Sequence, residues 1–162
     1  MQLGLKQSFL FLIMKKFFSK KIFKLIIASA LVMFAAIQLI PVDHSNPPIE
    51  SEIPASPEVR KILQKACYDC HSHETIWPSY TKIAPASWLI ASDVNEGRKE
   101  LNFSTWGSYT PAQRAKKLKE IGEEIDEKEM PPSIYLIMHR SAALSTEDLV
   151  ILHKWIDHLA VQ

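Results

Sequence analysis

"ACYDCH", residues 66–71, holds both cysteines of a 162-residue chain, three positions apart, with a histidine directly after the second. An even cysteine count in an exported chain points first to a disulfide. Cys67 and Cys70 would close only a tiny loop, however, and the stabilisation from a crosslink grows with loop length. Three readings remain: a zinc half-site, a dithiol redox centre, and the covalent attachment point of a c-type haem, which has the form C-x-x-C-H.

The rest of the chain weighs these readings. Its length suits one domain, since domains run to about 100–200 residues. The formal charge of +1 hides an uneven distribution: residues 1–40 carry six lysines and no acid, which leaves 13 basic groups against 18 acidic ones beyond them, a net of −5. A charge of that size is ordinary for a soluble face, and no nucleic-acid partner is expected.

The basic head leads into "LIIASALVMFAAIQLI", residues 25–40, apolar apart from Ser29 and Gln38. Lysines followed by such a run have the form of a signal-anchor. At about 1.5 Å per residue the run reaches roughly 24 Å, somewhat short of a ~30 Å hydrocarbon core, a gap that flanking residues or local thinning would cover. No small-x-small site follows, because Ala35-Ala36 leads into Ile37-Gln38-Leu39. An uncleaved anchor with the body facing the periplasm is favoured over a signal peptide cleaved to release it there. "MKKFFSKK" from Met14 also has the form of an n-region in its own right, so residues 1–13 are expected to stem from an upstream start choice.

Residues 41–56, rich in proline and without periodicity, have the character of an extended tether. Residues 57–162 read as all-α. Ser56, Pro57 and Glu58 punctuate a helix start, and Val59, Ile62, Leu63 and Ala66 form the stripe of a helix running into Cys67. A second helix is expected from about residue 85, with Trp88, Leu89, Ala91 and Val94 inward. Thr110-Pro111 opens a charged third helix with a stripe of Ala115, Leu118, Ile121, Gly122 and Ile125, and Ser145 with Asp148 forms a capping box before a fourth. No stretch alternates like a strand.

A structural zinc site needs two more ligands. His153 and His158 have finger-like spacing but lie about 140° apart around their helix. A thioredoxin-like dithiol opens a helix in a βαβ setting, whereas here a helix leads into the motif. Haem attachment needs two thiols for the two vinyl groups and a histidine to ligate the iron, and Cys67, Cys70 and His71 supply these in one turn. Haem c therefore fits best.

With His71 on one side of the iron, the other position decides between a carrier and a ligand-binding protein. Met130, in "EKEMPPS", is the first candidate, held by Pro131 and Pro132 in a stiff loop; a gap-filling core methionine is the alternative. His139 and Met138, in the apolar "SIYLIMHR", are rivals. Ile76, Trp77, Tyr80, Ile83, Trp88 and Leu89 are candidate pocket residues, and Arg98 and Trp106 candidate propionate partners. His73 is too close to His71 to reach the opposite face, so a helix end or solvent is expected around it.

"CYDCHSHETIWPSYTKIAPASWLIASDVNEGRKELNFSTW" with "EMPPSIYLIMHRSAALSTED" downstream resembles the haem-binding domain family of bacterial cell envelopes, over about residues 41–162. The resemblance implies covalent haem on Cys67 and Cys70, His71 as axial ligand, and a cytochrome c-like helical fold with Met130 where its distal methionine falls. His73 departs from the asparagine expected of the family. Some relatives fuse this domain to a dihaem peroxidase, but no second C-x-x-C-H is present, so the chain is expected to be an electron carrier and not an enzyme. Unidentified redox proteins of the envelope are its expected partners, and a haem-based sensor with an open sixth position is the alternative.

Overall fold

The computed structural model describes residues 20–161. The start-choice reading of residues 1–13 lies outside them. Seven α-helices and three short 3-10 turns make up the described chain, which has no strand beyond a single bridge between Ser51 and Thr105. The all-α expectation for the body is met.

Helix α1 spans Lys20–Ile37, and its large apolar side chains, including Phe23, Leu25, Leu31 and Met33, are exposed. Lys20, Lys21 and Lys24 occupy its first turns, and among the described residues no helix is long and apolar enough to cross a membrane. Helix α2 (Pro57–Ala66) starts where expected. The Ser56 hydroxyl accepts from the Val59 N–H, and Val59, Ile62, Leu63 and Ala66 are all buried. Helix α3 (Tyr68–His71) is a single turn containing the motif. Helix α4 (Ala86–Glu100) buries Ser87, Ala91 and Val94, whereas Leu89, expected inward, is exposed. Helix α5 (Pro111–Asp126) has a capping box of Thr110 with Gln113 and buries Leu118 and Ile125; Ala115, expected in its stripe, faces out. Helix α6 (Ser133–Met138) buries nothing, so its apolar sequence is not core. Helix α7 (Thr146–Ala160) starts with the expected Ser145–Asp148 box and buries Leu152, Trp155 and Ile156.

The core joins α2, α5 and α7 through Leu63, Leu118, Leu152, Trp155 and Ile156, and reaches Tyr68, Phe103 and Trp106 beneath the motif. Trp106 packs edge-on against Tyr109 within this core. Lys65 and Asp148 pair at 2.6 Å between α2 and α7.

The proline-rich segment is not a free tether. Glu50 and Ser51 both donate backbone N–H groups to Ser104 O at 3.0 Å, the Ile53 N–H donates to Phe103 O at 3.0 Å, and Ile53 itself is fully buried. The Trp155 indole donates to Pro54 O at 2.8 Å. Prolines remove donors from this stretch, but the remaining N–H groups and one isoleucine are enough to bind it along the body as a strap.

Candidate cofactor site

Helix α2 ends against Cys67, whose N–H donates to Leu63 O at 2.8 Å. The Cys67 carbonyl then accepts from both Cys70 N–H (3.2 Å) and His71 N–H (2.9 Å), which closes α3 as one turn and brings the five motif residues together. Beneath them, buried Tyr68 stacks on Phe103 at 5.5 Å and donates its hydroxyl to Glu52 at 3.0 Å.

His71 is held from behind. Its Nδ1 lies 2.9 Å from Gly97 O and 3.1 Å from Leu101 O. Carbonyls only accept, so Nδ1 carries the proton, and the Nε2 lone pair has no hydrogen-bond partner among the described residues. Burial pushes the imidazole pKa below its ordinary value, against the pull of the two carbonyls. The ring is thus neutral, fixed in tautomer and ready to donate to a metal. The Phe103 ring meets it edge-on at 6.3 Å.

Helix α4 reaches this position through Gly97. A Cβ there would sit 2.7 Å from Cys70 O and 3.2 Å from Cys70 Cβ. The absent side chain lets two backbones approach closely, and that approach brings the Gly97 carbonyl within reach of Nδ1. The lone glycine late in α4 is visible in the sequence, but the two carbonyl partners of His71 are not.

Both cysteines are free. Burial, the largest cause in each case, raises the Cys67 thiol to about 12 and Cys70 to about 11. They are protonated near neutrality, unlike the lowered thiols of a reactive dithiol. Among the described residues no three His, Cys, Asp or Glu side chains gather as a metal site, and His153 is paired with Asp126 at 2.9 Å.

The other sequence candidates fall into three groups. Tyr80 and His139 belong to a network with Asp69, the middle acid of the motif. The Asp69 carboxylate accepts from the Ile76 N–H at 2.9 Å and from the Tyr135 hydroxyl at 2.7 Å. His139 stacks on Tyr135 at 4.1 Å, its Nδ1 donates to Tyr135 O at 3.2 Å, and its Nε2 lies 3.0 Å from the Tyr80 hydroxyl. Both nitrogens of His139 are therefore engaged. Arg98 donates to Ser72 O, Ser45 O, Asn46 and Thr75, which clamps the segment after the motif to the strap. His73 bridges the strap at Pro48 O (2.7 Å) and Asn102 (2.9 Å), a structured setting in place of a helix end or solvent.

Trp77, Trp88 and Met130 form the third group. The indole nitrogens of Trp77 and Trp88 are buried and have no hydrogen-bond partner among the described residues. Met130 is 37 % exposed, as are, more fully, Ile76, Leu89, Ile134, Ile137 and Met138, all on segments that adjoin α3 or are tied to it through Asp69. Buried donors without partners are rare in folded proteins, and apolar groups gathered in the open mark a binding surface. A haem, an apolar plate bearing two carboxylates, has the chemistry to complete both. By contrast, a groove of about 680 Å³ between the start of α2 and the end of α7, lined by Trp155 and His158 among others, contains none of the motif residues.

Sequence reasoning missed Asp69 and Tyr135, which tie α6 to the motif, and Phe103, which lies beneath it. Tyrosine and aspartate 66 positions apart leave no local signal.

Comparison with curated proteins and with solved structures gave no match. The family model of the haem-binding domain matches residues 32–158, from within α1 to near the end of α7. The chain therefore belongs to the haem-binding domain family, and haem is its cofactor.

Proposed function

We propose that the chain is a monohaem c-type cytochrome with a cytochrome c-like fold, held at the membrane by its apolar segment 25–40 and carrying single electrons on the periplasmic side. Cys67 and Cys70 would hold the haem through thioethers, with His71 Nε2 as one axial donor and Met130 as the other. When bound, the haem supplies one-electron redox chemistry. The chain's own part would be to orient the imidazole and supply apolar groups to the haem, for exchange with redox partner proteins of the envelope. Carriage, not catalysis, is the role this supports.

The observation that carries the reading is the fixed His71 tautomer. Two backbone carbonyls hold Nδ1–H and leave Nε2 free, in the same turn as two protonated, unpaired thiols. Full-length protein produced with the c-haem maturation machinery should give a pyridine haemochrome spectrum of the c type and a mass one haem above the polypeptide. Colourless protein with both thiols open to alkylation would overturn it. Met130→Ala should alter the reduced spectrum and lower the potential, because a methionine ligand raises it.

A haem-based sensor with an open sixth position is the second reading. Two observations favour it: Met130 is 37 % exposed, and both nitrogens of His139 are engaged within the protein. Rapid carbon monoxide binding by the native reduced protein would select it.

A further inference from the structure

Gln38 interrupts the apolar run near its end. Its Nε2 donates to Phe34 O at 3.0 Å and Ala84 O at 3.2 Å, while its Oε1 accepts from the Ala84 N–H at 2.9 Å. One side chain thus satisfies both backbone polar groups of Ala84, a buried residue two positions before α4. An amide at the end of an apolar helix is costly to desolvate unless its bonds are made, and here the body of the protein makes them.

Beyond Gln38 the chain is tied to the body again at His44 and Asn46. His44 Nδ1 and Nε2 lie 3.1 Å and 2.9 Å from Val42 O and Thr81 O, and Asn46 donates to Thr75 O at 2.9 Å. Leu39 (83 % exposed), Ile40 (53 %) and Ile83 (50 %) are open at this joint, with Lys82 exposed beside them. Single exposed apolar residues are unremarkable. These are continuous with α1, whose large apolar residues are exposed along its length.

We propose that Gln38 staples the haem-binding body onto the bilayer surface, with Leu39, Ile40 and Ile83 set among the lipid headgroups and Lys82 beside anionic ones. The inference rests on α1 being embedded in lipid, as the proposed function holds. Lipid is the occupant because the patch extends an apolar helix and pairs apolar side chains with a lysine, the composition that interfacial surfaces use. Electron exchange would then take place in the plane of the membrane surface, with a partner whose own redox group lies there.

The test uses the full-length haem-loaded protein in lipid nanodiscs, with a nitroxide at Ile83→Cys or, as control, at Asp157→Cys on α7. The oxygen-to-nickel-chelate accessibility ratio should be several-fold higher at position 83, and adding Gln38→Ala should bring it down toward the control value. Equal ratios at the two positions, in protein that resists carbonate extraction from membranes, would overturn the surface contact and leave the anchor standing. Protein released by carbonate would overturn both. Loss of access to both reagents at position 83 together with doubled protein mass per disc would assign the patch to a second copy and also overturn the proposal.

Discussion

The Gly97 carbonyl oxygen lies 2.9 Å from His71 Nδ1, and the same glycine would place a Cβ 2.7 Å from the Cys70 carbonyl. One residue therefore both permits the crossing of α4 over the motif turn and uses that crossing to orient the imidazole.

Gly97→Ala puts these effects in competition. In an unhindered helix the change stabilises by about 1 kcal/mol. Here the new methyl meets backbone, which cannot rotate away, and overpacking of this kind costs about 1–3 kcal/mol. We expect a net loss of stability and a lower yield of haem-loaded protein. Urea unfolding of the variant and its haem-to-protein ratio check this; a gain in stability would show that the helices separate without cost.

Tyr135→Phe removes the hydroxyl that donates to Asp69 at 2.7 Å. The hydrogen bond to a carboxylate contributes about 1.5–3 kcal/mol, less where water can replace it. Residues 133–139 should then exchange amide hydrogens faster, while α2 and α7 keep their protection. Uniform acceleration across the chain would instead mark a global loss.

Trp77→Phe and Trp88→Phe each remove an indole N–H that has no hydrogen-bond partner among the described residues. Losing an unsatisfied buried donor should leave the haem-free protein as stable as before or up to about 1–3 kcal/mol more so. If either N–H donates to the cofactor, the haem-loaded form should lose stability with the same substitution. Unfolding midpoints measured with and without haem separate the two, and equal shifts in both forms would remove these residues from the site.

Acid should loosen the contact between α2 and α7. Burial raises the Asp148 pKa, but Lys65 at 2.6 Å and the N–H and hydroxyl of Ser145 outweigh it and hold the carboxyl below the ordinary carboxylate range. The unfolded chain, with a value of about 3.9, therefore binds this proton more readily. The contribution to stability is full above about pH 4 and is lost as the pH falls through the lower folded value. Asp148→Asn should cost about 1 kcal/mol at neutral pH, from cap and ion pair together, and less near pH 3. A penalty that does not change with pH would refute the assignment.

The helix starts were legible because their signals are local: Ser56-Pro57, Thr110-Pro111 and Ser145 with Asp148 each cap a helix as their sequence implies. The motif turn was legible for the same reason. Ala115 and Leu89 were misjudged because periodicity gives a helix face without saying which neighbour covers it. Leu89 and the apolar residues of α6 match core in composition but are exposed, and a cofactor has the chemistry to cover such groups. Residues 41–56 were misjudged because proline content tells of stiffness and missing donors, not of where the remaining donors find acceptors. The acceptors at Phe103 and Ser104 lie about 50 positions away.

Ile53 and its neighbours supply what a further helix of the body would otherwise supply: a lid on Phe103 and donors for the carbonyls at 103 and 104. Burying an isoleucine is worth about 2–3 kcal/mol, a large share of the 5–15 kcal/mol by which domains are stable. The smallest autonomous folding unit is therefore expected to include residues 50–53, upstream of the first body helix. A polypeptide shortened to start at Pro57 should be prone to aggregation, whereas the intact one should resist proteases across a stretch whose composition resembles a linker.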